Sequence, residues 1–463
     1  MPTFEHRSVL PFPPEEVFTW HGRPLALERL TPPWERFRID RRVGGIQDGG
    51  EVWIRQKFGP FWFRWHSRHS GYVENRQFYD EAVEGPFTKW QHSHTFETDP
   101  TGTRLQDRIE YGFPGGRLGE VILGGTVGRS LQRAFRYRHA TTREDLVRHL
   151  AFRGMTPLRV LISGASGFLG SNLTAFLSTG GHEVHHLVRR PAGGAREVQW
   201  DPALRRLDPS AVEGFDAVIH LSGGSLERGR WTASRKRALL ESRTGSTRFL
   251  AETLSRLDEP PRTLLSVSAV GFYGHRGDDV VTETVQSGTG FLAEVCREWE
   301  AAADPARSAG IRVLHPRLGV VLSPAAGYLR RLLPFFRMGF GMCFGTGRQW
   351  VSWVALDDVL YALHALLMTE NLQGPVNVTS PTPVRNTDLA RTLGEVLRRP
   401  AGLPAPGVLV GLGLGEKGRE ALLKSTRALP AKLTAIGHRF SYPGLEHALR
   451  HGLGLQTPAG KAL

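Results

Sequence analysis

The sequence predicts a two-part chain of α/β class: a doubly wound parallel sheet with a C-terminal substrate subdomain, preceded by a smaller α+β unit. Three observations carry this reading. The first is length: 463 residues, 40% apolar and 22% charged, a globular composition too long for one ordinary domain. The second is a change of texture. Residues 1–150 hold 22 of the 43 aromatic side chains, among them Trp20, Trp34, Trp53, Trp62, Trp65 and Trp90. From Arg159 onward, Val/Leu-rich runs alternate with Ala/Leu/Arg-rich stretches, the pattern of parallel βαβ units. The third is a glycine-spaced junction between a strand and a helix at 158–170. A small loop-like segment, Arg153–Pro157, separates residues 1–153 from 158–400, and a tail follows at 401–463.

In the first part, Phe4–Leu10 reads as a strand, and Pro13-Pro14-Glu15-Glu16 opens a short helix with acidic residues in its first turn. Lys89–Glu97 alternates strictly, so Trp90, His92, His94 and Phe96 share one face. Arg104–Tyr111 does the same with Leu105, Asp107, Ile109 and Tyr111. From Leu123 a long helix is expected, with Val127, Leu131 and Phe135 on one stripe. Strand, short helix, antiparallel strands and long helix, in that order, resemble the SRPBCC (START-like, helix-grip) family. That resemblance implies a curved sheet around a helix and a cavity for a hydrophobic small molecule. His92 and His94 on one strand face are ligand-spaced, and a third group such as Asp107 would complete a metal site. The reading adopted is a polar patch in an aromatic-lined cavity, with no metal.

The sharpest signal is Leu158–Gly170, LRVLISGASGFLG. The apolar strand Val160-Leu161-Ile162 runs into Gly164-x-x-Gly167-x-x-Gly170, and a helix follows through Leu173, Phe176 and Leu177. Gly164 permits the tight turn, Gly167 lets backbone approach a pyrophosphate, and Gly170 lets the helix pack close to the sheet. The predicted contacts are Gly164, Ser166, Gly167, Phe168, Leu169 and Gly170. The next strand, Glu183–Val188, ends in Arg189-Arg190, where NAD-binding folds carry an acid for the ribose 2′-hydroxyl. An acid repels a 2′-phosphate and a guanidinium pairs with it, so Arg189 and Arg190 predict NADP(H). Ala217–Leu221, Thr263–Ser268, Val313–Val321 and Pro375–Val378 supply further strands of a Rossmann-type sheet.

The same glycine pattern resembles the extended short-chain dehydrogenases/reductases. His220-Leu221-Ser222-Gly223-Gly224 is similar to their strand-four cofactor motif, which adds Leu221, Ser222 and Gly223 to the expected cofactor contacts. Ser266 to Gly274 is similar to their serine strand. More narrowly, Arg230-Trp231, Glu241-Ser242-Arg243, Trp299-Glu300, Pro316-Arg317, Gly345–Gln349, Asp357-Asp358 and the tail from Arg427 to Leu445 resemble an NADP-binding epimerase family branch. Fusion to an N-terminal SRPBCC domain is seen in that branch. The wider superfamily uses a Tyr-x-x-x-Lys pair for proton transfer. Here the equivalent helix, Gly290–Ala303, has neither residue, and Leu292 and Cys296 fall at the two positions. Ser268, which polarises a carbonyl, and Tyr273, as proton donor, are the catalytic residues expected instead. Cys296 reads as core. The segment Leu329–Trp353 reads as a substrate lid in which Arg348 and Trp350 meet the substrate. An enzyme of oxidoreductase or epimerase type is the first expectation, and an inactive NADPH-binding sensor is the alternative.

Composition narrows the setting. No apolar run approaches the ~20 residues of a membrane span; Val408–Leu414 is short and interrupted by glycine. The N-terminus carries no basic-then-apolar leader, and two cysteines cannot form a disulfide framework. A cytoplasmic protein is expected. The net charge of +14 is 59 Lys and Arg against 45 Asp and Glu; 52 of the cations are scattered Arg and only 7 are Lys, with no nucleic-acid motif beside them. Small molecules rather than nucleic acid are the expected partners. The sequence sets no oligomeric state.

Overall fold

The protein is described here by a computed structural model covering residues 1–227 and 229–456. It divides into two compact units, the boundary falling between Met155 and Thr156.

The N-terminal unit is one antiparallel sheet of seven strands: β1 Thr3–Leu10, β2 Phe37–Val43, β3 Glu51–Phe58, β4 Phe61–Val73, β5 Gln77–Glu84, β6 Lys89–Asp99 and β7 Gly102–Gly112. Their order is β1-β7-β6-β5-β4-β3-β2, so the first and last strands pair. Two short helices, α1 Pro14–Gly22 and α2 Ala26–Leu30, follow β1, and a long one, α3 Arg117–Leu150, follows β7. The predicted alternation is what the register uses. Phe96, His94, His92 and Trp90 lie opposite Leu105, Asp107, Ile109 and Tyr111. Helix α3 starts six residues before the expected Leu123, after Gly115 and Gly116, both at positive φ. Its first turns are invisible to periodicity because Leu118, Val121 and Ile122 are exposed and face no core. Farther along, Phe135 packs on Phe4 of β1, ring centroids 5.3 Å apart. Arg29 and Asp145, both fully buried, join α2 to α3 through two hydrogen bonds of 2.8 and 2.7 Å. Sheet and α3 enclose a cavity of about 470 Å³.

The C-terminal unit is a parallel α/β sheet. Its strands are β8 Arg159–Ser163, β9 Glu183–Val188, β10 Glu197–Asp201, β11 Arg206–Leu207, β12 Ala217–His220, β13 Thr263–Ser266 and β14 Ser268–Ala269, with Arg312–Leu318 and Gly374–Val378 completing it. Only the short β11 pairs antiparallel. From β8 the chain passes through helix α4, Phe168–Thr179, to β9 on one side; β12 then pairs with β8 on the other. This reversal of direction is the Rossmann topology, and it opens a crevice at the carboxyl ends of β8 and β12. Side chains alternate to bury both faces. Val160, Ile162, Ile219 and Leu265 pack with Phe176 and Leu363; Leu161, Val218 and Leu264 pack with Leu250 and Leu254. That is why these strands read as unbroken apolar runs.

One expected strand divides in two. Arg312–Leu318 stays in the main sheet, while Val320–Leu322 leaves it to pair with Trp353–Ala355. Gly319 marks the break, for a Cβ there would sit 2.6 Å from the Ser352 carbonyl oxygen. The chain crosses another backbone at that point, which only glycine allows. The tail returns to the same unit: Ala401–Ala405 pairs with Gly341–Phe344, and Arg427–Ala428 with Val280–Val281.

Candidate nucleotide site

The crevice is built from the ends of β8 and β12. Ser163 Oγ and His220 Nδ1, paired in register, lie 2.7 Å apart and join the two strand ends. Burial pushes His220 down to about 4, so its imidazole is neutral near pH 7. Directly after Ser163 the chain turns at Gly164, φ +73°. A Cβ on Gly164 would sit 3.0 Å from the Leu221 carbonyl carbon and 3.1 Å from the Ser222 nitrogen. The two loops therefore touch backbone to backbone. The Gly167 N–H donates to the Gly164 carbonyl at 2.9 Å, closing the turn. At Gly170 a Cβ would lie 2.3 Å from that same carbonyl oxygen and 2.7 Å from Ala165 Cα. Ser166 and Gly167 are exposed at the mouth, with Phe168 and Leu169 half-buried where α4 begins. The unpaired N–H groups of that helix start face the crevice mouth, which is what a pyrophosphate requires. Gly223, on the opposite wall, lies close to the Arg243 guanidinium: a Cβ there would sit 3.2 Å from its Cζ and would require that side chain to shift by a few tenths of an ångström. Buried Arg243 donates to the carbonyls of Leu239 and Gly224 and so shapes that wall. It lies on helix α5, Ala233–Leu254, in the Glu241-Ser242-Arg243 segment that resembles the epimerase branch; the resemblance marks the residue, but spacing along the helix does not give its role.

The two arginines after β9 differ. Arg190 is held by Glu197 through two contacts of 2.8 and 2.5 Å. Arg189 is exposed and has no side-chain partner among the described residues.

Where a proton relay would stand, the site is closed. Helix α6, Phe291–Ala301, places Leu292 and Cys296 under Gly271, whose would-be Cβ is 3.3 Å from Leu292 and 3.8 Å from Cys296 Sγ. Burial pushes the Cys296 thiol up to about 11, and Ser268 and the Ala269 backbone offset this only in part. The thiol is protonated and is no nucleophile. Ser268, on β14, is itself buried. Tyr273 is fully enclosed: its hydroxyl donates to Asn377 Oδ1 at 2.7 Å and accepts from Arg317 Nη1 at 3.0 Å. Arg317 in turn grips Glu300 of α6 with two hydrogen bonds of 2.8 and 2.7 Å. Burial raises the Tyr273 pKa above its ordinary value despite the guanidinium. Glu300, Arg317, Tyr273 and Asn377 form one buried chain across α6 and two strands.

In the expected lid, Trp350 lies between two guanidinium groups, Arg385 at 4.2 Å and Arg427 at 4.3 Å from the ring centroid, and its Nε1 donates to Asp278 at 3.2 Å. It is a joint between the lid and the tail. Arg348 is exposed two residues earlier, and its carbonyl accepts from Arg385.

Known proteins share both the sequence and this geometry. Residues 160–378 match the NAD dependent epimerase/dehydratase family, residues 10–138 a family described as polyketide cyclase / dehydrase and lipid transport, and residues 405–452 a domain of unknown function. An epimerase family protein of Mycobacterium bovis is 41% identical over 290 residues, 63% of this chain and 96% of that protein. The chain belongs to the epimerase family. Human epimerase family protein SDR39U1 is 31% identical over 63% of this chain and 99% of its own length. A crystal structure of the human protein with NADPH superposes with a TM-score of 0.58 at 29% identity, covering 63% of this chain and 98% of that one. Nearly the whole of this epimerase family chain, 98%, is matched by a Corynebacterium glutamicum structure described as a nucleoside-diphosphate sugar epimerase, with a TM-score of 0.79, 33% identity and 90% of that chain covered. No helix among the described residues is long and apolar enough to cross a membrane.

Proposed function

We propose that the C-terminal unit binds NADP(H) in the crevice between β8 and β12 and serves an oxidoreductase or epimerase-type reaction on a small molecule. The carrying observation is the backbone cradle. Gly164, Gly167 and Gly170 leave the space a side chain would fill, and Leu221, Ser222 and Gly223 face them. The helix-start N–H groups at Ser166, Phe168 and Leu169 would take the pyrophosphate, with Gly167 letting the backbone come close, and Arg189 the 2′-phosphate; Arg190, held by Glu197, orders the strand end. When bound, the nicotinamide supplies a hydride donor or acceptor. Two relatives support this reading: the human protein, whose structure holds NADPH, and the Corynebacterium neighbour, described as an epimerase of nucleoside-diphosphate sugars. Arg348 is assigned to an anionic group of the substrate, and Trp350 to holding the lid against the tail. A hydrophobic ligand is assigned to the N-terminal cavity.

In this reading Ser268 and Tyr273 are positioning groups rather than proton donors, since both are buried and the Tyr273 hydroxyl already donates its proton in a hydrogen bond to Asn377. Tyr273→Phe should lower stability by about 1–3 kcal/mol, since it removes two buried hydrogen bonds, and leave NADPH affinity within ~2-fold. Thermal melts and calorimetry check this; a large fall in turnover with unchanged stability would restore Tyr273 as proton donor.

Arg189→Asp should weaken NADPH binding by roughly 30–100-fold while NADH changes by less than ~3-fold, because a charge-assisted pair is replaced by repulsion. Equal losses for both nucleotides in fluorescence titration would remove Arg189 from the site.

A second reading, a nucleotide-binding sensor without turnover, is favoured by Leu292 and protonated Cys296 at the relay positions. Nicotinamide oxidation and reduction across a panel of carbonyl compounds and nucleotide sugars separates the two. Tight NADPH binding with no turnover on any substrate selects the sensor.

A further inference from the structure

The N-terminal cavity carries a cluster that the nucleotide site does not use. Cross-strand register sets Asp80 of β5 opposite His92 of β6, and Asp107 of β7 opposite His94. The four side chains form a square. His92 Nδ1 is 2.9 Å from Asp80 Oδ2, and its Nε2 is 2.8 Å from Asp107 Oδ1. His94 mirrors it, with Nε2 3.3 Å from Asp80 Oδ2 and Nδ1 2.7 Å from Asp107 Oδ1. The rings lie 3.8 Å apart.

A neutral imidazole has only one N–H. Four nitrogens facing carboxylate oxygens therefore need positive charge among them, from extra protons or from a bound cation. A divalent cation shared by the two rings and Asp80 would meet that requirement in a single group.

The two sides of the square are not equivalent. Asp80, His92 and His94 line the cavity, whereas Asp107 does not. On the cavity side, the donor atoms of Asp80, His92 and His94 all lie within 4.8 Å of one another. Small side-chain adjustments bring donors this close onto one ion at ~2.0–2.2 Å. On the far side, Asp107 Oδ1 takes the opposite nitrogen of each ring, the outer-shell carboxylate that orients metal-bound histidines. Asp107 Oδ2 is in turn fixed by His139 Nε2 at 2.5 Å, and His139 Nδ1 lies 2.5 Å from Ser8 Oγ. Sequence spacing points to Asp107 as the third ligand; the register instead puts Asp80 on the ligand side and Asp107 behind.

We propose that Asp80, His92 and His94 bind a divalent transition-metal ion at the cavity wall, with Asp107 as the outer-shell carboxylate. Two nitrogens and one oxygen suit Zn²⁺ or Fe²⁺. Three protein ligands leave coordination positions open toward the cavity, whose walls include Phe78, Trp90, Leu131 and Phe135. The matching ligand class has an apolar body and a terminal oxygen, carboxylate or enolate, that reaches the metal.

The test uses the full, tag-free chain, stripped with a chelator and titrated with Zn²⁺ and, separately, Co²⁺. Wild type should bind one ion per chain at micromolar concentration or below, with visible d–d bands for Co²⁺. Asp80→Asn and His94→Gln should each weaken Zn²⁺ binding at least ~100-fold, and Asp107→Asn ~10–100-fold. His69→Gln, which lines the same cavity outside the cluster, should bind as wild type. Melting curves identify any variant that fails to fold, and the remaining one decides. Absence of wild-type binding at micromolar Zn²⁺, or binding that survives both ligand substitutions unchanged, overturns the proposal.

Discussion

Replacing Gly170 by Val should abolish measurable NADPH binding, a loss of at least ~100-fold, and should destabilise the C-terminal unit by about 1–3 kcal/mol. The atoms in the way are backbone: the Gly164 oxygen at 2.3 Å and Ala165 Cα at 2.7 Å from even the first side-chain carbon. No rotamer change relieves such contacts. The helix start must move away from the loop, and its N–H groups leave the place where a pyrophosphate would lie. Calorimetry with NADPH and a thermal melt read the two effects separately. Wild-type affinity in the variant would mean that the nucleotide binds elsewhere. Gly194, with open space around it, is the matched control: Gly194→Ala should change neither quantity.

Glu300→Ala should cost about 3–5 kcal/mol, the penalty for stranding one member of a buried ion pair. Arg317 is 4% exposed at its side chain and would be left with a full charge, the Tyr273 hydroxyl and the face of Phe272, 3.4 Å from its Cζ. Glu300→Gln keeps the shape and part of the hydrogen bonding, so a smaller loss is expected. A fall of roughly 5–8 °C in Tm for the alanine variant follows from the usual entropy of unfolding for a unit of this size. A shift under ~2 °C would show that the Glu300–Arg317 link adds little and that Tyr273 is not held through it.

The nucleotide loop is legible in the sequence because its information is local. Three glycines, a strand before and a helix after define the turn almost without reference to the rest of the chain. The alternation in β6 and β7 is legible for the same reason, since a period of two fixes the faces. What escapes depends on pairing across the fold. Asp80 meets His92 and His94 only through the β5–β6 register, and no spacing along the chain announces it. Tyr273 reads as an available proton donor along the chain, but Asn377 and Arg317, far away in sequence, enclose it. Arg189 and Arg190 read as equivalent, and Glu197 on the neighbouring strand separates them. The early start of α3 is hidden because its exposed apolar residues follow no buried stripe.

The pairing of β1 with β7 also sets when, during synthesis, the N-terminal sheet can be completed. The first strand, Thr3–Leu10, has no partner in the sheet until Gly102–Gly112 has been made. At ~5–20 residues per second, that leaves an apolar-edged segment waiting several seconds on the ribosome. The β2–β6 hairpins, each paired with its neighbour in sequence, can form before β7 exists, whereas β1 can pair only after it.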